Sequence, residues 1–279
     1  MSDHDFSWAI KLMRAGYAGR GLTYLVVAGF SLFSIWGGGG AEGTSSAMAQ
    51  LETSTWGKVA LFLIFAGLVA YCIWRVTCAI YDLEDYGTDA KGMIARAGQV
   101  TTGVIHGAIG IGAAILLFTA KSDQEGSTFS KAAQAVLEWP GGQWILLFAG
   151  LCTMGAGVYY LHKSWVEGYR DNLMANEFTL NWNWALKAGV AAQGFIVLLM
   201  GWFITYAAWT ADSDEAKGLE GVWEYLGGQP MGNAVVIAIC LGLLGFSLFC
   251  FVNAAYRIVP KASDGGFTTL GARLKELAS

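Results

Sequence analysis

Among the residues of the long uncharged stretches, His106 has the side chain most suited to chemistry. His106 lies in the run 97–120, three residues after Gly103 and one before Gly107. On a helix this spacing places His106 on the face that carries the small residues. An imidazole can change its charge near neutral pH. His106 is therefore a candidate for a ligand contact or a proton-sensitive switch, or else for a hydrogen bond between helices.

Tyr71 and Arg75 are the second candidate, because they stand one helical turn apart at the end of another uncharged run. That run covers 59–74, which places Arg75 about 25 Å along a helix from its start. A long cation at this depth either extends to lipid headgroups or pairs with a phosphate or with Asp82. The role of Arg75 therefore depends on which of these groups its side chain meets.

The remaining polar candidates for contacting a ligand or lining a path are neutral, namely Gln99 and Gln193. No Asp or Glu falls inside the uncharged stretches, and the chain has no HExxH, phosphate-binding loop or nucleophile elbow. The five cysteines lack C-x-x-C spacing. Catalysis normally needs paired acids, metal ligands or an activated nucleophile. We therefore predict no catalytic residue, no metal site and no cofactor.

The composition indicates that these residues belong to a membrane protein. Of 279 residues, 55% are hydrophobic and only 14% are charged, and a bilayer core needs about 20 apolar residues per helix. Six charge-free runs provide such lengths, the second by continuing past Arg75: 21–41, 59–74, 97–120, 139–162, 188–211 and 225–256. The predicted fold class is an all-α polytopic integral membrane protein with six transmembrane helices.

The positive charges predict the orientation of the chain. Of the 17 Lys and Arg residues, the loops after the odd-numbered helices contain only Lys58, Lys121, Lys131 and Lys217. Loops rich in Lys and Arg stay in the cytoplasm. We therefore expect both termini to be cytoplasmic.

Three copies of one sequence unit position the candidate residues. "RAGYAGRG" at 14–21 returns as "RAGQVTTG" at 96–103 and as "KAGVAAQG" at 187–194. The basic residue that opens each copy either anchors the helix at the headgroups or belongs to a cytoplasmic ring of three cations: Arg14, Arg96 and Lys187. Small residues recur on the odd-numbered helices and predict close helix contacts at Gly21, Gly103, Gly107, Gly110, Gly194 and Gly201.

Each unit contains two helices, so every copy begins on the same side of the membrane and the copies are parallel. We predict three tandem helical hairpins in a pseudo-threefold arrangement. Each outer loop contains a short amphipathic helix, either a lid over a central opening or an interfacial connector. The predicted segments are an interfacial lead-in at 1–13, repeat 1 at 14–90, repeat 2 at 91–172, repeat 3 at 173–258 and a tail at 259–279.

The acidic stretch "YDLEDYGTD" at 81–89 lies in an otherwise basic loop. We interpret it as a solvated loop that pairs with nearby Arg and Lys residues, although it could also dock a partner.

These units resemble a bacterial membrane family known as domain of unknown function number 1206. The resemblance rests on the repeated basic-Ala-Gly starts, on "AQLE" and "WGK" in the first outer loop, and on "AGLVAYCIWR" at 66–75. It covers roughly residues 12–258 and is weaker in the third unit, where Phe246 and Cys250 stand in place of Tyr71 and Arg75. The resemblance implies a fold of three paired helices in the bacterial cytoplasmic (inner) membrane. It implies no activity and no catalytic residue.

Two functions from different classes follow from this pattern. The first is a non-enzymatic scaffold or accessory protein that binds membrane lipids or a membrane protein partner through its helix faces, and no nucleic acid. The second is a passive channel or carrier for a small neutral solute through the three-repeat bundle. That second function requires one water-accessible cavity lined by His106, Gln99, Thr101, Thr102 and Gln193. An enzyme is third.

Overall fold

A computed structural model describes residues 6–119, 128–261 and 267–278 of the chain. Lys121 and parts of the predicted lead-in and tail lie outside the described residues. Within them the fold is helical, and six helices are long and apolar enough to cross a membrane. These are α1 (Ser7–Trp36), α3 (Thr55–Tyr81), α4 (Ala90–Thr119), α6 (Gly142–Trp165), α8 (Asn183–Thr210) and α10 (Gly232–Tyr256). The predicted fold class of a six-helix all-α membrane protein is confirmed.

Short helices lie at both ends of the long ones. At the end opposite the chain termini, a short helix occupies each connection: α2 (Thr44–Glu52), α5 (Thr128–Leu137) and α9 (Leu219–Gly227). The end that carries the termini, called here the terminal end, has α7 (Glu177–Asn181) and α11 (Leu270–Ala278). A backbone hydrogen bond from Leu270 to Leu173 (2.8 Å) fastens the start of α11 there, and one from Met174 to Tyr256 (3.0 Å) joins the same loop to the end of α10.

The six long helices form a ring in chain order that is open at one joint. α1 packs against α3 and α10, α3 against α4, and α8 against α10 and α6, whereas the described residues form no extended interface between α4 and α6. Within the spanning windows, 28% of residues are buried in α4 and 17% in α6, against 39% to 44% in the other four. The second predicted hairpin is therefore split. We call the gap between α4 and α6 the seam.

Close contacts at glycines explain why α4 and α6, the two helices of the second unit, pack on different neighbours. A Cβ atom added to Gly103, Gly107 or Gly110 of α4 would lie 3.0 to 3.1 Å from an α3 side chain. On α8, a Cβ atom at Gly194 or Gly201 would lie 2.9 or 2.5 Å from a backbone nitrogen of α6. Helices in lipid associate where small residues allow close approach. Because α3 holds α4 and α8 holds α6, the two helices of the second unit pack on different neighbours.

The first helix makes close contacts of the same kind on two sides. Gly19 faces Gly67 of α3, and a Cβ atom on either glycine would come within 2.6 Å of the other's Cα. Gly21 faces α10, where the same atom would lie 3.1 Å from the ring of Phe251. Small residues therefore join α1 to both of its neighbours in the ring.

The first span begins earlier than the sequence interpretation placed it. α1 is continuous from Ser7, and no proline interrupts it. The described part of the predicted lead-in, residues 6–13, therefore leads directly into the spanning helix and includes its first turns. The sequence interpretation placed Arg20 just before the first span. In the structure Arg20 is buried about 9 Å further along α1 than the exposed Arg14.

Replacing Gly19 by Ala should destabilise the protein, because the new methyl group overlaps the backbone of α3. We expect a lower thermal unfolding midpoint in detergent, equivalent to about 1–3 kcal/mol. Gly29→Ala on the same helix is the matched control, since no atom lies within 4 Å of its Cβ position. Equal midpoints for the two variants would contradict the close α1–α3 packing.

Candidate functional site

One carboxylate binds two buried cations at the terminal end of the ring. The Glu84 side chain is only 4% exposed, and its Oε1 lies 2.6 Å from Arg257 Nη2 and 3.6 Å from Arg75 Nη1. Its Oε2 accepts hydrogen bonds from Gln99 Nε2 at 3.0 Å and from the Tyr86 hydroxyl at 2.9 Å. Burial acts to raise the pKa of Glu84, but the two guanidinium groups outweigh it and lower the pKa to about 2. Glu84 therefore connects α3, α4 and the end of α10.

A tight turn after α3 buries the Glu84 side chain at the terminal end of the helix ring. Asp82 ends α3 in the left-handed conformation, with φ of 51°, and its carboxylate accepts the N–H groups of Tyr86 at 2.8 Å and Gly87 at 3.0 Å. Asp favours such turns because its side chain bonds the backbone a few residues further on. Lys261 adds an ion pair to Asp82 at 3.0 Å. The expected pairing of the 81–89 acids with nearby Arg and Lys is confirmed for Asp82, Glu84 and Asp85. The expectation of a solvated loop is wrong for Glu84, which the turn directs inward.

Arg75 lies inside the ring, and among the described residues it pairs with Glu84 and not with Asp82. Its side chain is 15% exposed and pairs with Glu84. The guanidinium carbon lies 5.9 Å from the ring centroid of Tyr71 and 5.3 Å from that of Trp74. The alternatives considered from sequence did not include this partner, because Glu84 reaches Arg75 only through the fold of the loop.

A second arginine, Arg20, lies deeper in the ring and has no carboxylate partner among the described residues. It is 4% exposed. Its Nη1 donates to the Tyr71 hydroxyl at 3.1 Å, whereas Nε has no hydrogen-bond partner. The rings of Tyr24, Tyr71 and Phe246 surround the guanidinium carbon at 5.0 to 5.7 Å. Because arginine stays protonated in proteins, Arg20 brings an uncompensated positive charge into the bundle.

The surroundings of Arg20 include both helices that border the seam. Arg20 interacts electrostatically with His106 of α4 and Tyr160 of α6. Lys163, nearly one turn after Tyr160 on α6, is half-buried; it too has no ion pair to a carboxylate in the described part of the chain. Its ammonium lies 5.8 Å from the ring centroid of Tyr159. The interior beside the seam therefore has an excess of positive charge.

The candidates chosen from sequence lie around these buried cations. Tyr71 accepts from Arg20, and its ring centroid lies 5.1 Å from that of His106. Gln193 Nε2 donates to the Tyr24 hydroxyl at 2.9 Å, beside Arg20, and Gln99 binds Glu84. His106 Nδ1 lies 2.8 Å from the Thr102 carbonyl of its own helix. The structure brings these side chains together, and their role toward a ligand stays a prediction.

The three residues proposed as a basic ring have separate surroundings. Arg14 is exposed. Arg96 donates from Nε to the Ala79 carbonyl at 2.6 Å, at the end of α3, where a cation is favourable for the helix dipole. Lys187 pairs with Glu167 at 2.9 Å. The contacts of Arg96 and Lys187 are those expected of local anchors, and the ring itself stays a prediction.

Sequence reasoning missed Arg20, Glu84 and Arg257, which hold most of the interior charge. Arg20 precedes the first charge-free run by one residue, so it was grouped with the flanking sequence. The repeat contained a usable signal. The position before its second glycine is polar in all three copies, namely Arg20, Thr102 and Gln193. A polar residue at one recurrent helix position indicates a side chain that faces the interior.

A cavity of ≈ 40 Å³ lies on the side of Arg20 away from the terminal end. Thr23, Tyr24 and His106 contribute polar groups to its wall, and Thr44 of α2 and Leu219 of α9 line it from the short helices. Val27, Leu68 and Ile109 complete the wall, so the cavity is mostly apolar, and its volume is about that of one or two water molecules. The short helices therefore cover a small central cavity at their end of the ring.

Comparison with known proteins places the repeat in a family. The family model described as Domain of Unknown Function (DUF1206) matches the chain three times, at residues 15–82, 97–167 and 188–257. The chain belongs to the DUF1206 family. The resemblance inferred from the repeat is thereby confirmed, and each DUF1206 match covers two long helices.

One relative matches over nearly the full length of this DUF1206 chain. It is "Uncharacterized protein YxxB" from Bacillus subtilis (strain 168), which is 27% identical over 259 residues, or 90% of this chain and 92% of that protein. No solved structure matches the chain.

Replacing Glu84 by Gln should destabilise this DUF1206 protein strongly, because two buried guanidinium groups lose their counter-charge. Breaking a buried ion pair from one side costs roughly 3–5 kcal/mol, which thermal unfolding in detergent would detect. Asp85→Asn is the matched control. Asp85 is in the same loop, but its side chain is 67% exposed and pairs with Lys261, so we expect a change within about 0.5 kcal/mol. Similar losses for both variants would contradict the central role of Glu84.

Acid should weaken the fold through the same carboxylate. The folded-state pKa of Glu84 is depressed from 4.5 to about 2, so its stabilisation is complete above pH 4.5 and is lost as the pH falls toward about 2. We expect the unfolding midpoint of the wild type to fall across this window more steeply than that of Glu84→Gln. Parallel pH profiles for the two proteins would show that Glu84 does not titrate with a depressed pKa.

Proposed function

We propose that this protein is a non-enzymatic membrane protein that binds a phospholipid at the seam between α4 and α6. In this proposal it lies in the cytoplasmic (inner) membrane of a bacterium with both termini in the cytoplasm, as the distribution of Lys and Arg favours. The observation that supports lipid binding best is the open joint in an otherwise packed ring of helices.

The chemistry of the seam favours a hydrocarbon occupant. Empty space beside packed helices forfeits dispersion contacts, and both bordering helices carry large exposed apolar side chains. On α4 the exposed side chains include Ile105 and Ile111, and on α6 they include Phe148 and Leu151. An acyl chain fills a gap between such helices without requiring hydrogen bonds.

The interior behind the seam favours an occupant with a negative headgroup. Arg20 and Lys163 have no carboxylate partner in the described residues, while Glu84 is already shared by Arg75 and Arg257. A molecule that combines acyl chains with an anionic phosphate matches both the apolar seam and the cations behind it. Phospholipids are the membrane components with this structure.

The geometry gives less support to a passive path for a neutral solute. Thr101 and Thr102 donate to carbonyl groups of their own helix at 3.0 and 2.7 Å, and Gln99 is engaged by Glu84. A path for a solute requires five residues around one cavity, and of these five His106 lines the central cavity. That cavity of ≈ 40 Å³ is too small for a solute much larger than water.

Stepwise removal of lipid should leave phospholipid bound at the seam after the surrounding annular lipid is lost. We expect native mass spectrometry of the gently released protein to show this as a reproducible added mass. A photoactivatable phospholipid should label peptides of α4 and α6, with α1 and α10 as internal controls. A bare monomer after gentle release, or equal labelling of all six long helices, would refute the proposed function.

A further inference from the structure

We infer that Arg20 is the anion-binding residue of a phosphate site inside the ring, next to the seam. This inference rests on the proposed function where the phosphate belongs to a lipid. Inorganic phosphate has the same charge and the same acceptor oxygens, so it would be recognised by the same groups. Beside the seam, Arg20 would bind the ligand, and the phosphate is the group of the ligand that it would bind.

The charge of Arg20 requires more compensation than the described residues provide. Its guanidinium lies beside three aromatic rings, and such rings attract cations. The free energy lost when a guanidinium leaves water is larger than this attraction. Arg257, by comparison, is 7% exposed and has Glu84 at 2.6 Å. An anion at Arg20 would give it the partner that Arg257 already has.

The hydrogen bonds of Arg20 leave a donor available for that anion. Nη1 is used by the Tyr71 hydroxyl, but the Nε–H group is buried without an acceptor. The Nε–H groups of Arg75 and Arg257 are buried in the same way, but these two arginines have Glu84 as their counter-charge. Buried donors in native proteins are nearly always paired. A phosphate oxygen would accept from Nε and supply the missing negative charge at once, and guanidinium groups are well matched to phosphate oxygens.

The site lies toward the terminal end of the ring and beside the seam. Arg20 lies about 9 Å inward from Arg14 along α1, so a phosphate there would sit below the headgroup region of the terminal side. His106 and Tyr160, which interact with Arg20, belong to the two helices that border the seam. Lys163 is nearly one turn from Tyr160 toward the terminal end of α6. A lipid phosphate would therefore pass Lys163 before it reaches Arg20 while its acyl chains occupy the seam.

The test compares Arg20→Met with Arg14→Met, which removes the same charge from an exposed position of the same helix. Each full-length protein is delipidated and offered phosphatidylglycerol or diacylglycerol with identical acyl chains, and native mass spectrometry measures retention. We expect wild type and Arg14→Met to prefer phosphatidylglycerol at least tenfold. Arg20→Met should lose this preference while keeping its unfolding midpoint, because Met removes an unpaired buried charge.

A second measurement distinguishes the two sources of phosphate. Inorganic phosphate is added to the delipidated proteins, with chloride at equal ionic strength as the reference. If no lipid is retained but phosphate raises the unfolding midpoint of wild type and not of Arg20→Met, the anion site stands and the lipid function fails. If the proteins retain both lipids equally and Arg20→Met behaves like wild type, the lipid function stands and the site is refuted.

Two further outcomes decide the remaining cases. An identical phosphate response and identical headgroup preference in wild type and Arg20→Met refute the site, whatever the lipid result. If Arg20→Met does not fold, Arg20→Lys replaces it, since Lys keeps the charge but lacks the Nε–H group of the guanidinium. A reduced preference in Arg20→Lys supports the site, and an unchanged preference refutes it.

Discussion

Charge inside a ring of apolar helices is costly unless a counter-charge lies beside it, because the helices keep bulk water away. Glu84 provides this balance at the terminal end. It lies in a loop between two spans, yet it is buried by the turn at Asp82 and binds Arg75, Arg257, Gln99 and Tyr86. The partners come from all three units of the repeat or their connections. A single carboxylate thereby ties the three units to one another.

The second constraint is steric and determines which helices are neighbours. Glycines bring α4 against α3 and α6 against α8 so closely that a methyl group would collide. These contacts join different units, and in the described part of the chain the two helices of the middle unit share no extended interface. The pseudo-threefold repeat of the sequence therefore does not produce three equivalent hairpins. It produces a ring with one open joint.

Both constraints meet at Arg20. The helices that flank the open joint contribute His106 and Tyr160 to its surroundings, and the carboxylate that balances the other arginines is fully engaged elsewhere. Departures from repeat symmetry coincide here, since Arg20, Thr102 and Gln193 occupy equivalent positions with different side chains. The middle of the bundle is thus asymmetric in charge although its helices are related by a repeat. This asymmetry places the unpaired cation in the first unit, next to the open joint.

The sequence by itself determined the class of the protein. Long uncharged runs specify six membrane helices because backbone groups in lipid must be satisfied within each helix, and the recurrence of "RAG" and "KAG" specifies the repeat. Glycine spacing also marked six positions that lie against neighbouring helices. His106, Tyr71 and Gln193 were recognisable as polar residues in apolar surroundings. These features depend on local pattern, which a linear sequence records.

Only the tertiary structure decided which groups meet. Glu84 looks like one of several solvated acids in "YDLEDYGTD", and nothing local distinguishes it until the left-handed turn at Asp82 buries it beneath the ring. Arg257 reaches it across 173 positions of sequence. The open joint is likewise invisible in the repeat, because equivalent glycines predict contact without naming the partner helix. Long-range pairing of charges and the choice of packing neighbour are properties of the closed arrangement, and they arise only when all six helices are in place.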